Sequence, residues 1–94
     1  MRQIVLSCEN WITPDDIYTA LLSSLEAPEW HGHNLDALWD SITGGGINQI
    51  NAPFSVLVTG IDSLPEDCKV LLTRIKDLLA EANAIGVDVE MRLP

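Results

Sequence analysis

Phe54–Leu93 reads FSVLVTGIDSLPEDCKVLLTRIKDLLAEANAIGVDVEMRL, and this stretch decides the fold. Phe54 to Val58 is a short apolar run that Gly60 ends, the pattern of a buried strand. Ser63 and Glu66 have the spacing of a capping box, which opens a helix. Cys68, Leu71, Leu72, Ile75, Leu78, Leu79 and Ala82 then recur at three- and four-residue steps, a core-facing helical stripe. Gly86 stands where a helix closes its last turn on a residue in the left-handed region. Val87, Val89, Met91 and Leu93 alternate with Asp88, Glu90 and Arg92, as in a strand with one wetter face or at a sheet edge. Strand, helix, strand implies two parallel strands joined by a right-handed crossover.

The N-terminal half adds one strand and two helices. Ile4, Val5 and Leu6 form an apolar run within residues 2–7, the signature of a strand covered on both faces. Thr13 is a plausible N-cap, Pro14 suits the first helical position, and Asp16 completes a capping-box-like pattern. Ile17, Leu21 and Leu25, with Tyr18 and Leu22, form the apolar face of this helix, and Pro28 lies just beyond it. A second, short helix runs from about Asn34 to Thr43 and ends at Gly44-Gly45-Gly46, followed by a polar loop that Pro53 closes. The expectation is one α/β domain over residues 1–94, a small three-stranded parallel sheet packed with about three to four helices.

Fourteen acidic and five basic side chains give a formal net charge of -9. The distribution says more than the total. The bases are Arg2, Lys69, Arg74, Lys76 and Arg92, so none falls between Gln3 and Cys68, where ten acids lie. Such a surface repels phosphate backbones and argues against direct nucleic-acid binding. It attracts a basic protein, although acidity also simply keeps a protein soluble. Cys8 and Cys68 fit no metal or redox spacing and read as buried free thiols in a reducing compartment. No stretch approaches the ~20 apolar residues of a membrane span. The expected location is therefore cytoplasmic.

The stretch Pro28–Gly44, PEWHGHNLDALWDSITG, carries the functional signal. Leu35, Leu38, Trp39 and Ile42 share one helical face and suit docking on a core; Asp36, Asp40 and Thr43 share another. Like charges at this spacing cost a few tenths of a kcal/mol, and Asp is a poor helix former. Asp40 also nears the negative end of the helix dipole. An exposed face that breaks local rules is a candidate for function, the alternative being an ordinary solvated face.

The same stretch closely resembles the hallmark of the barstar family: Pro28, Glu29, Trp30, Gly32, Asn34, Leu35, Asp36, Ala37, Leu38, Trp39, Asp40, Thr43 and Gly44 are the matching residues. The order of elements agrees across nearly the whole chain. Barstar-like proteins are small α/β inhibitors of secreted microbial ribonucleases, so the resemblance implies a basic ribonuclease partner whose active site the second helix and its preceding loop plug. It implies that Asp40 is the central anchor in place of a substrate phosphate and that Asp36 adds a second charge contact. Trp30, His31, Asn34, Trp39, Thr43 and Gly44 would frame the contact, and Glu81 matches an acidic position near the end of the last helix. A free monomer without cofactor or enzymatic activity is expected.

Three residues depart from the family pattern. His31 stands where an aromatic is common, Gly45 where a bulky aromatic follows Thr-Gly, and Ile85 where a second late-helix acid occurs. The Gly44–Gly46 run removes contact area, which leaves room for a different ribonuclease or another nuclease toxin as partner; a non-inhibitory interaction module with the same fold is a separate alternative. His31-x-His33 beside Glu29 lacks a second ligand cluster for a metal, and the two histidines read as rim or surface residues. On the rim they would make binding depend on pH. Asp36 and Asp40 lack a nearby nucleophile and do not read as a catalytic pair. Trp11 reads as a packing or surface residue.

Overall fold

The computed structural model describes all residues 1–94. The chain runs β1 (Arg2–Ser7), α1 (Pro14–Ser24), α2 (Leu35–Gly44), β2 (Phe54–Thr59), a 3-10 turn (Ile61–Ser63), α3 (Glu66–Ala84) and β3 (Val89–Arg92). All pairings are parallel, in the order β1-β2-β3. The α/β class and the parallel sheet are thus as expected, with three α-helices. Both crossovers step across the sheet in the same direction. Crossovers of one hand then place their helices on the same face.

Burial along the strands shows this. In register, Ile4, Val56 and Met91 form a row of buried side chains, whereas Gln3, Ser55 and Glu90 form a row without a fully buried member. The reading of β1 as covered on both faces is corrected: Val5 is 60% exposed. An apolar run reports hydrophobicity and does not report whether a second layer of helices exists. β2, central in the sheet, buries Phe54, Val56 and Val58 and leaves Ser55, Leu57 and Thr59 half-buried.

The core is one cluster of 22 buried residues drawn from β1, all three helices, β2, β3 and the segments beside them. The α3 stripe buries Cys68, Leu72, Ile75, Leu78, Leu79 and Ala82, each large apolar member contributing roughly 1.5–3 kcal/mol of burial. Both cysteines are free and buried, and burial pushes both thiols up, with the negative charge of Asp67 adding at Cys68.

The start of α3 differs from the expected capping box. Ser63 ends the 3-10 turn, and the N-cap is Pro65. A proline disfavours helical geometry in the residue before it, so Leu64 is extended (φ -71°, ψ 145°). The helix therefore cannot begin at Ser63. In α1 the expected capping box is present, and the Asp16 carboxylate accepts from the N–H groups of Ile12 (2.8 Å) and Thr13 (2.9 Å). These bonds hold its pKa below the usual carboxylate value. Two helices close with the same motif. The Val87 and Gly86 N–H groups donate to the Ala82 and Asn83 carbonyls at the end of α3, and Ala27 and Glu26 donate to Leu22 and Ser23 at the end of α1. Gly86 (φ 98°) is the expected left-handed residue; in α1 that position falls to Glu26 (φ 52°).

Candidate functional site

α2 is short, and its ends and back fix it. Asn34 caps it: the Asn34 Oδ1 accepts from the Ala37 N–H at 2.8 Å. Gly32 permits this cap, because a Cβ at Gly32 would lie 2.8 Å from the Asn34 amide nitrogen and 3.3 Å from the Ala37 Cβ. Leu38, Ser41 and Ile42 are buried, and Leu35 and Trp39 pack half-buried against the core. The expected docking face is therefore the one that docks. On the outer side Asp36 and Asp40 are exposed, and neither is in an ion pair.

Between α2 and α3 lies a groove of about 330 Å³, lined by Leu35, Asp36, Trp39, Arg74, Asp77, Leu78 and Glu81. It brings Asp36 and Glu81 together across two helices, as the charge pattern alone could not show. It also adds Asp77 and Arg74, which the sequence reading missed. Their signal was present: residues 74, 77, 78 and 81 share one face of a helix at i, i+3, i+4 and i+7.

Asp40 lies outside this groove. Thr43 is half-buried, and its hydroxyl donates to the Trp39 carbonyl at 2.7 Å. Gly44 is exposed at the last helical position. No N–H of Gly45–Ile47 closes back on the final carbonyls of α2, and Gly46 donates instead to the Asn51 Oδ1 at 3.3 Å. The end of α2 thus presents free acceptors and a negative dipole end, with no basic residue in the last turn.

The loop before α2 separates its residues sharply. Trp30 is 75% exposed, whereas His31 is only 5% exposed. His31 is therefore neither a rim nor a surface residue: its Nε2 lies 2.8 Å from the Ser41 Oγ and its Nδ1 lies 2.8 Å from the Gly32 carbonyl. His33 turns the other way, paired with the Asp15 carboxylate and stacked on Tyr18 with ring centroids 5.8 Å apart. No group of three or more His, Cys, Asp or Glu side chains is close enough to hold a metal ion. Trp11 is half-buried against the core, and no helix is long and apolar enough to cross a membrane.

Comparison with known proteins agrees with this architecture. The family model described as "Barstar (barnase inhibitor)" matches residues 1–93. A Bacillus subtilis (strain 168) protein named "Putative ribonuclease inhibitor YrdF" is 36% identical over 44 residues, a match covering 47% of this chain and 48% of that protein. The match spans about half the length of that relative. With a family model covering nearly every residue and a parallel three-stranded sheet under three helices, the chain belongs to the barstar family.

Proposed function

We propose that the protein inhibits a ribonuclease by seating the outer face of α2 and the loop before it in the enzyme's active site. The observation that carries this reading is the pair Asp36 and Asp40: two exposed carboxylates without a cationic partner, on a helix whose other side is locked into the core. A ribonuclease concentrates Arg, Lys and His groups to hold phosphates. A rigid carboxylate at a phosphate position accepts paired, charge-assisted hydrogen bonds from Arg. Asp40 takes the central role and Asp36 a second contact. Glu81 and Trp39 flank the groove beside Asp36, and Trp30 supplies an exposed aromatic face. Thr43 and Gly44 offer an acceptor oxygen and free helix-end carbonyls to the partner. The role of Asn34 is to cap α2, and that of His31 is internal.

The block is steric and electrostatic, and the protein performs no chemistry of its own. The net charge of -9 attracts a basic enzyme, so association slows as salt rises. The protein acts as a monomer in the cytoplasm, where it protects the cell that makes the enzyme. One observation favours a partner other than the ribonucleases of better-known family members. Gly45 lies at φ 69°, ψ 162°, a region open essentially only to glycine, so the bulky aromatic common there cannot be accommodated on this backbone. The test is RNA cleavage by barnase, and by a panel of basic microbial nucleases, titrated with the protein at low and at high salt. Stoichiometric inhibition of at least one ribonuclease, with an on-rate that falls with salt, is expected. Inhibition of none contradicts the proposal.

A further inference from the structure

His31, Ser41 and Asn48 are the three buried polar residues of the entire chain, at 5%, 1% and 4% exposure, and they form one connected network. Each comes from a different segment: the loop before α2, α2 itself, and the loop after it. We propose that this trio is a latch that positions the partner-binding surface, holding both flanking loops to the back of α2; the claim that this surface binds a partner rests on the ribonuclease reading above.

With a neutral His31 ring, the hydrogen bonds have a single consistent arrangement. The Gly32 carbonyl can only accept, so the His31 Nδ1 carries the proton and its Nε2 is an acceptor in the neutral ring. The Ser41 hydroxyl then donates to the Nε2 at 2.8 Å in preference to the Leu38 carbonyl at 3.1 Å. The Ser41 oxygen in turn accepts from the Asn48 Nδ2 at 3.2 Å. A flipped Asn48 amide would face Ser41 with an oxygen, for which no hydroxyl proton remains. The Asn48 Oδ1 is buried and unpartnered. Burying polar groups, one of them unsatisfied, costs stability that an apolar trio would not. Such a network is retained where it fixes one geometry.

That geometry is the one recognition needs. Trp30 is exposed and adjoins His31, so the latch sets its place relative to α2. On the other side, Asn48 precedes Gln49 and Ile50, whose N–H groups donate to the Glu26 and Leu25 carbonyls at the end of α1. The latch thus joins the Trp30 loop, the carboxylate helix and the glycine-rich edge into one unit. Preorganisation of this kind lowers the ordering cost of binding.

Two substitutions separate the latch from mere filling of space. In His31→Gln the terminal amide reaches the Nε2 position and can still bond Ser41. In His31→Asn it reaches only the Nδ1 position and loses that bond. Amide hydrogen exchange of the free protein should be near wild type over residues 28–34 and 45–50 in His31→Gln and at least about tenfold faster in His31→Asn, with Ser41→Ala matching the latter. Dissociation from barnase should follow the same split, about tenfold faster in His31→Asn, while the salt dependence of association stays unchanged. Ile75→Val, a core change in α3, lowers global stability without moving either readout. Equal behaviour of the Gln and Asn variants, or loosening confined to global unfolding, overturns the latch. If the wild-type protein fails to bind barnase, the affinity arm bears only on the functional reading, and the exchange split alone decides the latch.

Discussion

Glu26→Gly should stabilise the protein, and the structure sets the size of the gain. Glu26 is the only residue other than glycine with a positive φ (52°), and it occupies the closing position of α1. The left-handed conformation costs a residue with a Cβ roughly 1–2 kcal/mol relative to glycine. Glycine returns about 0.4–1 kcal/mol of this through the greater freedom of the unfolded chain. The Ala27 to Leu22 (2.9 Å) and Glu26 to Ser23 (3.1 Å) backbone bonds survive the change, and the exposed Glu26 side chain makes no hydrogen bond or ion pair that would be lost. The net gain is about 0.5–1 kcal/mol, which raises Tm by about 3–6 °C in a domain of this size. Thermal and urea unfolding at fixed pH measure it. Glu26→Ala is the control, because it removes the charge and keeps the Cβ. An unchanged or lower Tm in the glycine variant, or an equal gain in the alanine variant, refutes the backbone argument.

Further outcomes follow from the same geometry. Asp16 has a folded pKa lowered by the Ile12 and Thr13 N–H groups. Its contribution is therefore complete above the unfolded carboxylate pKa, near 3.9, and fades as pH falls through the lower folded value. Urea midpoints between pH 5 and 2 should fall less steeply in Asp16→Asn than in the wild type. Asn34→Ala removes the α2 cap and should cost about 1 kcal/mol, whereas Asn34→Asp keeps an acceptor for the Ala37 N–H and should cost less; chemical denaturation distinguishes them. Cys8 and Cys68 are buried with raised thiol pKa values, so alkylation near pH 8 should be slow in the native protein and fast in urea. Rapid native labelling of either thiol would contradict that burial.

How far the sequence could be read depended on what each pattern encodes. The α3 stripe was plain because three- and four-residue steps are a local property of a helix, and Gly86 marked its end because few residues tolerate the conformation required there. The start of α3 was misplaced because the Ser63–Glu66 spacing was weighed without the constraint that Pro65 puts on Leu64. Ile4-Val5-Leu6 showed a strand but not the missing second layer, since coverage of a sheet face depends on the direction of both crossovers. At the site, the two faces of α2 were legible from spacing alone. The opposite fates of His31 and His33 were not, because a histidine in a loop carries no periodic signal and its burial depends on Ser41 and Asn48, which are distant in sequence. Arg74 and Asp77 were missed because no local pattern in the sequence places α2 beside that side of α3.

The central claim is that Asp40 stands in for a phosphate, and its dissociation constant is the most direct test. Asp40→Ala removes an exposed carboxylate without a hydrogen-bond or ion-pair partner, so the fold should be intact and stability should stay within about 0.5 kcal/mol of wild type. Binding to the inhibited ribonuclease, followed by calorimetry or surface kinetics, should weaken by at least roughly 30-fold, because the partner's buried cations lose their counter-charge. A folded Asp40→Ala variant that binds as tightly as wild type would contradict the account.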